Sequence, residues 1–198
     1  MTLDQTGNLL GALALVIADR TADATGEAAG SSESAAAALS ALLHFLDAPS
    51  VDLLRQVLGL TSSGTVRLVD RLAQAGYVQR GPGRDGRSTS VTLTAPGRRV
   101  AQRVSAARAD VLSDSLAVLS AAERQEFESL VGKVLAGLVR GPGAVRWLCR
   151  MCDTAVCGRD EGRCPVANAV QERGYLTSGS GLPGDHPSGN TEPSPAAR

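Results

Sequence analysis

Lysine is almost missing from this chain. Of its 20 basic residues, nineteen are arginine and one is Lys133. Aromatic side chains make up 3% of the 198 residues, so a core has to be built from Ala, Leu and Val. That mix favours packed helices over a sandwich or barrel. Cysteine is absent before position 149. Net charge is absent too: 20 basic residues balance 20 acidic ones, so overall charge names no partner. The longest early apolar run, Leu9 to Ala18, is too short to span a bilayer. Asp4 precedes it and no Lys or Arg does, so the basic start of a secretory leader is missing. These absences point to a cytoplasmic protein without a membrane partner.

Catalytic constellations are missing as well. No Ser/His/Asp or Cys/His set stands at usable positions, and no paired carboxylates mark a cleft. "GPGRDGR" is glycine-rich but lacks the strand–loop–helix context of a phosphate loop. The chain is therefore not expected to be an enzyme. Of the two histidines, His44 sits on an apolar helix and reads as a core or interface residue, and His186 lies near the end of the chain.

What is present is a run of helices with clear punctuation. Leu9, Leu10, Leu13, Val16 and Ile17 fall at helical spacing within a first helix, Leu3 to about Thr25. Ser31 or Ser32 can cap a second through "AAAALSALLHFL", ending near Asp47. Ser50 can cap a short third, stopped by Gly59, and Thr61 a fourth, ending at Gly76. Leu60, Val66, Leu68, Val69 and Leu72 supply its apolar contacts. The period then switches to two: "YVQR" and "STSVTLT" predict two short strands, with "GPGRDGR" as the hairpin loop between them. Thr94 caps a long fifth helix, Pro96 to about Leu119. "SAAE" at 120–123 is a capping box for a sixth, striped by Phe127, Leu130, Val131, Val134, Leu135 and Leu138. From 177 the chain is Gly, Pro, Ser and Asn and predicts disorder.

Charge is uneven along this frame. Residues 55–108 hold ten Arg against two acids, Asp70 and Asp85, a local excess of +8. A basic patch on a helix–turn–helix followed by an arginine-tipped hairpin predicts double-stranded DNA as the partner. The fold expected is mainly α with a small β-hairpin wing, a winged helix-turn-helix. The fourth helix would enter a major groove with its N-terminal residues nearest the bases. Ser62, Ser63 and Thr65 offer short hydroxyls, and Gly64 permits close approach. Arg67 can reach a phosphate or guanine. Arg71, one turn on, suits a phosphate or an internal salt bridge. Arg84 and Arg87 at the hairpin tip can reach a minor groove.

"TSSGTVRLVDRLAQAGYVQRGPGRDGRSTSVTLTAPGRRV", Thr61 to Val100, resembles the recognition helix, wing and following helix of MarR-type transcriptional regulators. The shared features are the Ser/Thr-rich helix start, "RLVDRL", "GYVQR", "RDGRS" and "VTLTAPGR". The resemblance implies a homodimer joined through the first, fifth and sixth helices. It also implies two half-sites about one DNA turn (~34 Å) apart on a pseudo-palindromic operator. Repression, relieved by a small-molecule or redox effector, is what it implies for activity. The chain then divides into a dimerisation helix (1–30), the winged helix-turn-helix (31–95), further dimerisation helices (96–143), a four-cysteine module (144–176) and a tail (177–198).

The resemblance does not account for Cys149, Cys152, Cys157 and Cys164, spaced C-x2-C-x4-C-x6-C. Their surroundings are too polar for four buried hydrophobes. Four thiolates can close a tetrahedral zinc site or hold an iron–sulfur cluster. Two close Cys pairs are the usual zinc pattern and only one is present. Cys164-Pro165 echoes ferredoxin runs, while the predicted helix after it echoes small zinc modules. Arg150, Arg159 and Arg163 would offset the thiolate charge, and Trp147 would pack over the site. Two other readings stand beside the regulator: a metal-stapled protein-interaction module with secondary DNA binding, and a thiol redox protein, which would need a frame the chain lacks.

Overall fold

The computed structural model describes residues 4–83, 88–141 and 143–175. It is mainly α with a small β-hairpin wing. Along the chain run α1 (Gln5–Ala29), α2 (Glu33–His44), α3 (Val51–Leu58), α4 (Ser62–Gln74), β1 (Val78–Pro82), β2 (Thr89–Leu93), α5 (Ala95–Leu116) and α6 (Ala121–Leu138). Three short helices follow: α7 (Ala144–Leu148), α8 (Thr154–Cys157) and α9 (Pro165–Glu172). No helix among the described residues is long and apolar enough to cross a membrane.

The helix starts follow the chemistry of their caps. Ser32, Ser50, Thr61, Thr94 and Ser120 each accept a backbone N–H of the first turn through the side chain, and Ser120 with Glu123 completes a capping box. Three helix ends differ from expectation, the fifth helix stopping at Leu116 rather than near Leu119. The first helix continues to Ala29, because no residue between Thr25 and Gly30 forces a stop. Gly30, in the left-handed region, ends it. The second helix stops early, at His44, and the chain turns through Ala48 at φ 45°.

Helix α2 is the centre of the main core. Ala35, Ala36, Ala38, Leu39 and Ala41 are buried, and around them pack Leu54 and Val57 of α3, Leu68, Val69 and Leu72 of α4, Val91 of β2, and Val100 and Val104 of α5. The hairpin is antiparallel, pairing Val78 with Leu93 and Arg80 with Val91. Val91 N–H also donates to Pro49 O at 2.9 Å, so the chain before α3 acts as a third edge of the wing. The Thr94 hydroxyl donates to Gly76 O at 2.5 Å and accepts from Gly97 N–H at 3.0 Å, fixing α5 against the start of the hairpin.

A separate, smaller core lies at the C-terminal end. Val139, Val145, Cys149, Cys164, Val166, Ala169 and Val170 are buried together, flanked by Leu135 and Leu148. The long helices leave apolar side chains outside both cores: Leu9, Leu10, Leu13, Leu15 and Val16 on α1, and Phe127, Leu130, Val134 and Leu138 on α6. Helix α6 buries no residue fully. An apolar stripe of this kind needs a surface to cover it.

Gly97 carries the tightest packing constraint in the frame, since a Cβ there would lie within the carbonyl of Tyr77. Gly97→Ala is expected to destabilise the protein by about 1–3 kcal/mol through overpacking. Urea denaturation monitored by circular dichroism measures it.

Candidate nucleic-acid interface and thiol cluster

Helix α4 is amphipathic in a way that sorts its residues into two jobs. Thr65, Leu68, Val69 and Leu72 are buried against the core. Ser62, Ser63, Val66, Arg67 and Arg71 are exposed, and Gly64 is half-buried beside the capping Thr61. The first turn contains no acidic residue, so the positive end of the helix dipole is uncompensated and suits a phosphate.

Four of the predicted contact residues, Ser62, Ser63, Arg67 and Arg71, thus share the outer surface. Thr65 does not join them. It is fully buried and its hydroxyl donates to Thr61 O at 2.9 Å, so it faces the core side of the helix. The other predicted contacts, Arg84 and Arg87, lie outside the described residues, as does the tail at 177–198. Val66, assigned by sequence to the apolar contacts, is 45% exposed instead. It lines a cleft with Ser50, Val51, Arg80 and Thr89, between the outer face of α4 and the wing. Its spacing of four from Ser62 and three from Ser63 is the signal that places it on that face. Arg80 is held by Asp70, Nη2 to Oδ1 at 2.7 Å, which ties β1 to α4 and sets where the wing stands.

In the smaller core the four cysteines converge, Cys149 and Cys164 buried and Cys152 and Cys157 packed against them. None is in a disulfide. The Cys157 thiol donates to Thr154 O at 3.5 Å. Among the described residues no three His, Cys, Asp or Glu side chains stand as a group that could hold a metal ion, so the cysteines are near one another without forming a ligand cage. Its electrostatics are uneven. Donating to Cys152 and Cys164, together with burial, raises the pKa of Cys149. Burial and the neighbouring Cys164 charge raise that of Cys157. The bond from Cys149 lowers the pKa of Cys152, with help from the charges of Arg108 and Arg159. Cys164 is lowered by the Cys149 bond and by the backbone N–H groups of Ala167 and Val166, at the start of α9.

The chain around the thiols is tightly folded. Gly158 and Gly162 adopt φ of 62° and 69°. Helices α7 and α8 lie within the four-cysteine module, α8 being capped by Asp153. Of the arginines expected to face the thiols, Arg159 does, and its buried Nη2 has no hydrogen-bond partner. Arg163 instead pairs with Glu161 at 3.7 Å, and Arg150 lies over the Trp147 ring at 5.0 Å. Arg108, from α5, was not signalled by sequence because it is 44 residues upstream of Cys152. Trp147 does not cover the thiols. It is 52% exposed and stands against Gly59 at the end of α3.

Comparison with known proteins bears on the first 140 residues more than on this cluster. The sequence profile of the MarR family matches residues 30–88. No curated protein sequence matches the chain. Among solved structures, the Mycobacterium tuberculosis MarR family protein Rv2887, in complex with p-aminosalicylic acid, is 26% identical with a TM-score of 0.52. That match covers 66% of this chain and 98% of Rv2887. A MarR family transcriptional regulator from Silicibacter pomeroyi is 25% identical over 69% of this chain and 94% of its own, with a TM-score of 0.54. A Staphylococcus aureus MepR mutant bound to an oligodeoxyribonucleotide shares the fold at 15% identity and a TM-score of 0.51, over 69% of this chain and 99% of its own. These proteins are matched almost whole, so about a third of this chain is additional to them.

The cap of α4 sets the height at which its outer residues are presented. Thr61→Ala removes the 3.1 Å bond from Gly64 N–H and is expected to cost about 1 kcal/mol. The same substitution should increase amide exchange in the first turn of α4, which hydrogen-exchange mass spectrometry reads directly.

Proposed function

We propose, from the match of residues 30–88 to the MarR family and the winged-helix fold shared with its members, that the protein is a DNA-binding transcriptional regulator, acting as a repressor. The observation that carries this is the outer face of α4. Ser62, Ser63, Val66 and Arg67 stand together at the helix N-terminus, backed by a buried Leu68–Val69–Leu72 face that holds the helix rigid. Two hydroxyls can donate to or accept from base edges, the Val66 methyls suit a thymine methyl, and Arg67 suits a guanine or a phosphate. Gly64 lets the backbone come close. Arg71 takes a phosphate further along, and the minor groove is assigned to Arg84 and Arg87, by sequence alone. MepR bound to an oligodeoxyribonucleotide shares the fold, which supports duplex DNA as the partner.

The functional unit is a homodimer in the cytoplasm on a pseudo-palindromic operator. The uncovered apolar stripes of α1 and α6 support it, because a second copy buries both at once. Cys149, Cys152, Cys157 and Cys164 hold a metal centre, zinc or an iron–sulfur cluster. The buried Arg159 Nη2, which has no hydrogen-bond partner, supports this, since four thiolates around either centre leave negative charge to meet it. The complex of Rv2887 with p-aminosalicylic acid supports a small-molecule effector as an alternative to a redox one.

A second reading is favoured by one observation. Val156 and Trp147 are 78% and 52% exposed on the C-terminal module, a surface fit for a protein partner with DNA binding secondary.

Selection of duplexes from a random pool separates the two. Recovery of a pseudo-palindrome supports the regulator, and recovery of nothing at low salt sinks it. On the selected duplex, Arg67→Ala should lower affinity by about 5- to 150-fold and reduce the salt dependence by about one ion. Val134→Glu, placing a charge on the α6 stripe, should shift the protein from dimer to monomer in sedimentation velocity while its helical circular dichroism signal is retained.

A further inference from the structure

The C-terminal module is built so that its ligand residues and its contact residues alternate along one strand of chain. Cys149, Cys152 and Cys157 are separated by Met151, Asp153 and Thr154. Those three intervening side chains are the ones that touch the reading head. Met151 packs against the main core. The Thr154 hydroxyl donates to His44 O at 2.9 Å, and Asp153 Oδ1 lies 3.6 Å from His44 Nδ1. His44 is the last residue of α2, and its Nε2 is 2.9 Å from the Ser105 hydroxyl of α5. Just before Cys149, Trp147 stands against Gly59 at the end of α3, and Arg146 Nη1 meets Gln56 Oε1 at 3.5 Å. The other edge of the module rests on α6. Pro165 faces Gly132, and Arg173 Nη1 donates to Val139 O at 2.7 Å. The module therefore bridges the α2–α3 corner, from which α4 hangs, and α6.

Nothing apolar in the module suffices to hold that bridge. Its helices have five, four and eight residues, and its core is seven side chains, two of them cysteine. Helices this short have no stability of their own, and a core this small needs a staple. The thiols supply one of a particular size. All four sulfurs belong to one small packed core, and a tetrahedron with Zn–S of ~2.3 Å, its corners about 3.8 Å apart, suits sulfurs gathered that closely. An iron–sulfur cluster puts an inorganic core between its thiolates and would hold them further apart. One divalent ion with four thiolates has charge −2, matched by Arg108 and by Arg159, whose buried Nη2 has no hydrogen-bond partner.

We propose that the four cysteines take a single tetrahedral thiophilic ion of the zinc class, and that its occupancy fixes the α2–α3 corner of the reading head against α6. With the ion bound, Met151, Asp153 and Thr154 are held at set positions, and His44 with them. Without it, the short helices lose their staple and the corner loses its brace. The regulatory consequence rests on the operator-binding reading above: if loaded and empty protein hold the corner differently, metal and DNA each change the affinity for the other by the same factor.

The test uses the full chain, stripped of metal under reducing conditions without oxygen and titrated with cobalt(II), then zinc. One cobalt per chain is expected, with thiolate charge-transfer and tetrahedral ligand-field absorption, displaced by zinc. Amide exchange over residues 44–59 should slow about tenfold on loading. Thr154→Val should keep the cobalt spectrum and lose most of that slowing, which separates the brace from metal-dependent folding in general. Operator affinity should fall at least about fivefold when metal is removed. Iron with acid-labile sulfide in the purified protein overturns the single-ion site. Stoichiometric metal with unchanged exchange over 44–59, or with unchanged operator affinity, overturns the brace. Slowed exchange in a protein that selects no duplex upholds the brace and removes the operator reading instead.

Discussion

The rest of this structure depends on the burial of α2. A helix can lie at the centre of a small fold only if its neighbours approach closely on every side. Here alanine makes that approach possible: Ala35, Ala36, Ala38 and Ala41 are at most 1% exposed, with Leu39 among them. A chain that is 3% aromatic has no large rings to fill gaps, so density has to come from short distances between backbones. The turn, α4 and the wing are then attached to α2 through Leu54, Val57, Leu68, Val69 and Val91. The reading head is one body with α2, and any element that grips the end of α2 grips the head. His44 is at that end, and the thiol module is what grips it.

The helices were legible because their starts are written in single residues. Each expected N-cap, Ser50, Thr61, Thr94 and the Ser120 box, accepts the backbone donor expected of it, and of the Ser31–Ser32 pair it is Ser32 that does so. The hairpin was legible from the change of period, with Val91 buried on one face. The phase of α4 was less so. A run of Ser, Ser, Gly, Thr, Val and Arg holds small residues on both sides of the helix, and composition alone does not say which side is inner. Thr65 falls inward because its hydroxyl finds the Thr61 carbonyl one turn back, which lets a polar residue be buried at low cost. Val66 then falls outward by helical geometry alone.

The thiol cluster was legible as a cluster and illegible in its wiring. Four cysteines within sixteen residues, after none in 148, announce a shared site. Their partners come from far along the chain, and no spacing rule reaches that distance. Thr154 meets a carbonyl 110 residues away, and Arg108 arrives from α5. The arginines beside the cysteines in sequence were misleading for the same reason. Arg150 and Arg163 point back to local partners, Trp147 and Glu161, because a side chain near a tight loop reaches its own loop first.

Charge orders the molecule at a larger scale. Residues 55–108 carry an excess of +8 in a chain of net charge zero, so the remainder carries −8. The positive part includes α4, the wing and the start of α5. The negative part includes α1, with Asp19, Asp23 and Glu27, and α6, with Glu126 and Glu128. A chain whose charge is divided in this way can present a basic surface on α4, the wing and the start of α5, and a polyanion is drawn to that surface although the total is zero. The same segregation explains why a balanced composition is no argument against a nucleic-acid partner. Orientation needs a difference between faces, and a chain can supply that difference while holding its total charge at zero.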